Sequence, residues 1–203
     1  HLDLSGPVAA GMPTLRNAMQ MRIDEVNAAG GIHGRKIRLV VEDNGSQPQM
    51  AVRAVQKLVR SDQVFAIVNP FGSGTNAATV KMATDAGVIV FGPWAASSII
   101  QKVGGNSPLL FTTVQNYDST TATGVSWAVK NWKVQRVGVI YQEGPFGDLV
   151  RAGVNQALKE AGGFTVAAEA AWKAGDIDFS SQVARMKAAN VDLIVAGTVV
   201  RET

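Results

Sequence analysis

The chain has 203 residues, 46% hydrophobic and 17% charged, a composition that excludes a disordered segment and fits one or two folded domains. Its net charge of +3 comes from Lys and Arg spread along the sequence, so no clustered basic footprint for nucleic acid or an anionic membrane is present. The lack of cysteine removes disulfides, thiol nucleophiles and thiolate metal sites together, and no apolar run approaches the roughly 18 residues of a membrane span.

In chain order, Leu15, Met19, Ile23 and Val26 recur at helical spacing and predict a helix over 13–29, with Pro13 tolerated in its first turn. Residues 36–43 then read as a strand, and the basic residues Arg35, Lys36 and Arg38 around its start read as solvated surface. Pro48 opens a second helix with Ala51, Val55, Leu58 and Val59 as its apolar stripe. The continuous apolar run over 64–70 has the length of a parallel strand buried on both faces. A helix over 74–85, a short strand over 88–91 and a loop over 92–98 follow, giving the βαβαβ order of a doubly wound sheet. Residues 99–107 carry no assigned element and lead to an extended segment over 109–114.

The alternation then restarts, with helices expected over 118–132, 147–161 and 179–189 and strands over 136–142, 165–170 and 192–197. The Ala-Gly-Gly that closes the first helix, residues 29–31, recurs at residues 161–163, again before an apolar strand. This repetition predicts two similar α/β lobes, 1–113 and 114–203, with a cleft between them. The sequence stops just after a strand, which would leave a sheet edge open and implies a longer parent protein.

Residues 72–77, GSGTNA, fit the dinucleotide pattern G-x-G-x-x-A between a strand and a helix. The fit fails on mechanism, because the next strand ends in Gly92 and Pro93 where an acidic residue should take the ribose hydroxyl. What remains is a helix N-terminus with free N–H groups, a hydroxyl at Ser73 and glycines that permit close approach. That combination suits a carboxylate, or is an ordinary capped helix. His1 and His33 have no companion at metal or triad spacing, so no catalytic residue, metal or cofactor is expected. Asp178 reads as a helix N-cap, and Trp127, Trp132 and Trp172 read as packing residues. Trp94 differs, because it follows the carboxyl end of a strand, where open α/β sheets bind ligands.

Taken together, GPVA near the start, NAAGGIHGRKIRLVVEDN, NPFGSG, GPWAASS, YQEGPFG and GDIDFSSQVARMKAA resemble the substrate-binding proteins of branched-chain amino acid ABC transporters, in order and over nearly the whole chain. The resemblance implies a type I periplasmic binding protein fold: α/β, with two doubly wound parallel-sheet lobes, here truncated at both ends. It implies a periplasmic receptor, not an enzyme, that closes around a small ligand, an amino acid or an aromatic or aliphatic organic acid. The receptor would present that ligand to the membrane permease of an ABC importer, with no nucleic-acid partner and no membrane insertion of its own. The alternative is an amide- or amino-acid-sensing regulatory protein of the same fold, and a signal peptide before His1 would separate the two.

Residue by residue, the resemblance implies that Ser73, with the backbone of Gly74, holds the ligand carboxylate. Trp94 and Ala96 match a ligand-holding loop, where the family's hydroxyl is lost at Ala96 unless Ser97 supplies it. Phe146 falls where members often carry Tyr, Thr198 falls at a strand-end position that is commonly aromatic, and Tyr117 lies just past the first hinge. An acidic residue for the α-amino group would lie beyond Thr203. The lost hydroxyl and the added indole imply a planar, aromatic or otherwise non-amino-acid ligand bearing a carboxylate or amide.

Overall fold

The computed structural model describes residues 1–199, in which a 3-10 turn at Ala9–Gly11 and two successive helices precede a regular alternation of strands and helices. The first part contains α1 (Met12–Ala28), α2 (Pro48–Arg60), β1 (Ala66–Val68), α3 (Ser73–Asp85), β2 (Ile89–Phe91), α4 (Ser98–Gly104) and β3 (Leu110–Phe111). The second contains α5 (Tyr117–Trp132), β4 (Val137–Gln142), α6 (Pro145–Glu160), β5 (Ala168–Trp172), α7 (Ser180–Ala188) and β6 (Leu193–Gly197). The repeated glycines end α1 and α6 as expected: Gly30 and Gly162 have φ of 102° and 127°, a region open to glycine at little cost. After α1 the Gly31 N–H reaches back to the Val26 carbonyl at 2.9 Å, which satisfies one of the helix's orphan acceptors.

Two parallel sheets result. The first has the order β1-β2-β3 and the second β5-β4-β6. Pairing beside β1 continues through residues 1–3, since the Phe71 N–H donates to the His1 carbonyl at 3.0 Å and the Leu2 N–H to the Glu42 carbonyl at 3.0 Å. The expected strand over 36–43 does not form. That segment meets the sheet only at the Leu2–Asp43 bridge, so apolar alternation there marks a half-buried stretch that lacks a ladder partner over most of its length. The apolar stripe of α1 is likewise only half-buried, with Met12 its one buried residue.

Two cores hold the sheets. Val55, Ile67, Val80, Val90 and Ile100 pack in the first, and Val125, Val137, Val139, Val154 and Leu158 in the second. A further cluster on the second sheet places Trp172 against Ile140 and Met186. Helix α4 was not expected from sequence, yet Ile100 on it is fully buried in the first core. Close packing of α5 on α6 depends on Gly153, where a Cβ would strike the Asp118 carbonyl of α5. Trp127 and Trp132 correct the packing expectation: they are 54% and 63% exposed and stack edge to face on the surface of α5, 5.2 Å apart. Asp178 precedes the N-cap of α7, and its carboxylate accepts the Ser180 N–H at 2.9 Å. Among the described residues no helix is long and apolar enough to cross a membrane.

Candidate functional site

The loops that leave the carboxyl ends of β1, β2 and β4 come together. The β1 loop is fixed from below by Asn76, fully buried, whose side-chain amide donates to the carbonyls of Pro70 at 2.7 Å and Gly72 at 2.8 Å. Thr75, also buried, donates its hydroxyl to the Phe71 carbonyl. The β2 loop is tied to it from the side: the Trp94 N–H donates to the Pro70 carbonyl at 2.9 Å, and the Gly72 N–H donates to the Trp94 carbonyl at 3.3 Å.

On this base α3 begins at Ser73. Its N-cap is Gly72, with φ 99°, and no side-chain oxygen caps the helix. The orphan N–H groups of the first turn are therefore left for another acceptor. Ser73 is 8% exposed, and its hydroxyl has no hydrogen-bond partner among the described residues. Helix α6, on the other sheet, starts in the same way on Gly144, with φ 104° and no side-chain cap. The two N-termini adjoin: a Cβ added at Gly74 would lie 3.8 Å from Pro145 Cδ and 3.7 Å from Pro48 Cγ.

Aromatic pairs flank this point. Phe71 packs against the cluster of Leu2, Val8 and Met12 and meets Trp94 edge to face, with centroids 5.8 Å apart at 88°. On the other side Tyr117, the first residue of α5, meets Phe146 of α6 edge to face at 4.8 Å and 70°. The Tyr117 N–H donates to the Ala96 carbonyl at 2.6 Å, and the Ser98 hydroxyl donates to the Asp118 carboxylate at 2.9 Å, so the β2 loop is latched to the start of α5.

Of the residues singled out in the sequence, Ser73, Gly74, Trp94, Ala96, Tyr117 and Phe146 thus belong to one linked group. Ser97 lies in the same loop, but its hydroxyl is buried and unpartnered, 3% of the residue being exposed. Thr198 is half-buried after β6, and among the described residues no hydrogen bond or ring contact joins it to the others. Phe71, Asn76 and Pro145 were missed, although Phe71 and Pro145 stand inside the motifs NPFGSG and YQEGPFG. An apolar groove of about 300 Å³ lies elsewhere, between α5 and β6, lined by Val125, Trp127, Trp132 and Ile194. It offers little to orient a polar solute. Among the described residues no group of three or more His, Cys, Asp or Glu is placed to hold a metal ion.

Residues 2–203 match the family described as periplasmic binding protein. The chain is 31% identical over 194 residues to the Leu/Ile/Val-binding protein BraC3 of Rhizobium johnstonii, a match covering 96% of this chain and 52% of that protein. Among solved structures, a fatty acid ABC transporter substrate-binding protein from Thermomonospora curvata superposes with a TM-score of 0.84 at 29% identity, covering 96% of this chain and 48% of that one. The branched-chain amino acid transporter substrate binding protein LivJ from Streptococcus pneumoniae, in complex with isoleucine, superposes with a TM-score of 0.79 at 28% identity, covering 96% and 54%. The chain spans about half the length of the curated relatives it matches.

Proposed function

Because the chain belongs to the periplasmic binding protein family, we propose that it captures a small carboxylate-bearing solute between its two sheets and delivers it to the membrane permease of an ABC importer. The observation that carries this reading is the meeting of two glycine-started helix N-termini, α3 and α6, one from each sheet, at Gly74 and Pro145. Each contributes the positive end of a helix dipole, and the N–H groups of α3 together with the free Ser73 hydroxyl supply donors for an anion. Approach of the two sheets would then exclude water and strengthen those contacts.

The relatives support the same part of the solute. One is named for leucine, isoleucine and valine and another for a fatty acid, at similar identities of 31% and 29%. What amino acids and fatty acids share is the carboxylate, the group that the start of α3 suits. The Ser73 hydroxyl has no hydrogen-bond partner among the described residues, which leaves it able to donate to a bound carboxylate. The proposed location is the periplasm, where the family's receptors meet their solutes.

The test is a thermal-shift screen of the full-length gene product against amino acids, aliphatic acids and aromatic acids. A true ligand at 100 times its dissociation constant adds about 2.7 kcal/mol of stability. A response to neutral solutes alone, with every carboxylate inert, would refute the reading.

A further inference from the structure

Granting a receptor that holds a carboxylate at the start of α3, the reading on which this step rests, we infer that Asn44 is a positioning residue of that site: from a fully buried position it fixes the Phe71–Gly72 peptide on which α3 is seated. Asn44 lies in the turn that leads into α2. Its own N–H donates to the Leu2 carbonyl at 2.8 Å, its carbonyl accepts the Gln47 N–H at 2.8 Å, and its side-chain oxygen accepts the Ser46 N–H at 2.8 Å. The side-chain amide is left for the β1 loop, where it donates to the Phe71 carbonyl at 3.0 Å and lies 2.9 Å from His1 Nδ1. One side chain thereby joins residues 1–3, the turn over 43–48 and the loop over 70–73.

The bond to Phe71 matters because a trans peptide holds its carbonyl and the following N–H on opposite sides. With the Phe71 carbonyl drawn toward Asn44, the Gly72 N–H points the other way and meets the Trp94 carbonyl at 3.3 Å. Gly72 sits at φ 99° and ψ 144°. Turning that peptide over by half a revolution would bring φ to about −80°, a region open to every residue, so the glycine's own preference does not resist the turn. The turned peptide would set the Phe71 carbonyl against the Trp94 carbonyl, two acceptors face to face, and part the β1 and β2 loops beside the start of α3.

Two side chains hold the Phe71 carbonyl, and they are not equivalent. The Thr75 hydroxyl has a single proton and lies 3.0 Å from a second acceptor, the Gly72 carbonyl, within its own turn of α3, so it can follow the loop wherever the loop goes. Asn44 is bonded through its other atoms to segments outside that loop, so its amide stays in place and the carbonyl must come to it. The adjoining carbonyls of Pro70 and Gly72 are held separately, by Asn76. The turn that Asn44 organises also seats Pro48 against Gly74, so its influence reaches the start of α3 from a second side.

The test uses the full-length gene product as wild type, Asn44→Ala, Asn44→Asp and Ser46→Ala, with melting curves, amide hydrogen exchange and calorimetric titration of L-leucine and octanoate. Ser46→Ala is the control, because it removes the hydroxyl's bond to the Asp3 carboxylate at 2.7 Å and loosens the same turn without touching Phe71. Exchange of the Gly72 N–H should quicken about tenfold or more in both Asn44 variants while amides in the middle of α3 keep their rates, and whichever probe binds the wild type should bind these variants about tenfold more weakly. Ser46→Ala should lower the melting temperature and leave both readouts unchanged. Asn44→Asp keeps the oxygen that accepts the Ser46 N–H and carries the comparison if Asn44→Ala does not fold. Unchanged Gly72 exchange in Asn44→Asp, or a loss of affinity in Ser46→Ala as large as in Asn44→Asp, would overturn the positioning role and leave the receptor reading standing. A folded wild type that binds neither probe nor any other carboxylate would overturn the receptor reading, and the role of Asn44 with it.

Discussion

Replacing Ser73 by alanine should separate binding from stability. In the unliganded protein Ser73 is 8% exposed and its hydroxyl donates to no partner among the described residues, so its removal strands nothing. The cost to folding should stay within about 0.5 kcal/mol. In the complex the same hydroxyl would donate to an ionised carboxylate, a bond worth about 1.5 to 3 kcal/mol, so affinity should fall roughly ten- to a hundredfold. Asn76→Ala supplies the contrast. Its amide ties the carbonyls of Pro70 and Gly72 together at 2.7 and 2.8 Å from a fully buried position, and its loss removes a donor from each and the tie between them. That variant should lose about 2 kcal/mol or more of stability. Urea unfolding and calorimetric titration with an acid identified by thermal shift, run on wild type and both variants of the full-length gene product, supply the two numbers. Wild-type affinity in Ser73→Ala would show that the carboxylate is held elsewhere. An equal loss of stability in the two variants would show that Ser73 supports the loop and does not await a ligand.

Gly153→Ala should destabilise by about 1 to 3 kcal/mol in urea unfolding, since its Cβ would press on the Asp118 carbonyl and lie 2.8 Å from Thr121 Cβ; an unchanged midpoint would mean that α5 and α6 can part freely. Trp172→Phe should lower stability by about 1 to 3 kcal/mol, because the buried indole N–H donates to the Gly197 carbonyl at 3.1 Å, and an unaltered melting curve would contradict that bond. The Asp192 carboxyl is held below its usual 3.8 by the N–H groups of Gln135 and Arg136, which donate to it at 3.0 and 2.9 Å. A depressed carboxylate stabilises above its unfolded value and loses that contribution as pH falls through the folded one. The acid limb of stability below about pH 4 should therefore be shallower in Asp192→Asn than in wild type, and superimposable limbs would refute this.

The alternation of helices and strands was readable because parallel strands covered on both faces leave continuous apolar runs, as in β4, where Val137 to Ile140 are all buried. The same signal overstated strand length. Residues 64–68 are apolar throughout, but only Ala66–Val68 form a ladder, since hydrophobicity reports burial and pairing needs a neighbour in register. Helix α4 escaped notice because seven residues are too few to establish a helical stripe, although Ile100 anchors them firmly. Trp127 and Trp132 were misread for a different reason. Their hydrophobicity is no guide to which side of α5 they occupy, and the buried side belongs to Ala122, Val125 and Ala128.

Of the site, the parts carried by local sequence were visible: a serine after glycine at a helix start, and a tryptophan in a strand-end loop. Phe71 and Pro145 were not, because each acts through contact with a distant segment, Phe71 as a brace for Trp94 and Pro145 as a neighbour of Gly74. The helix-closing repeat at Gly30 and Gly162 has an opening counterpart that the sequence carries less conspicuously, the N-caps Gly72 and Gly144. Both adopt φ near 100°, where a side chain is strained, and this accounts for glycine at both positions. It also has a consequence for binding. Serine, threonine, asparagine or aspartate at an N-cap would spend its oxygen on the first-turn N–H groups. Glycine cannot, so the donors of α3 stay open toward the other sheet. On the proposed reading, what equips this end of the fold for an anion is therefore in part a missing side chain, the one kind of feature that a list of chemically active residues does not contain.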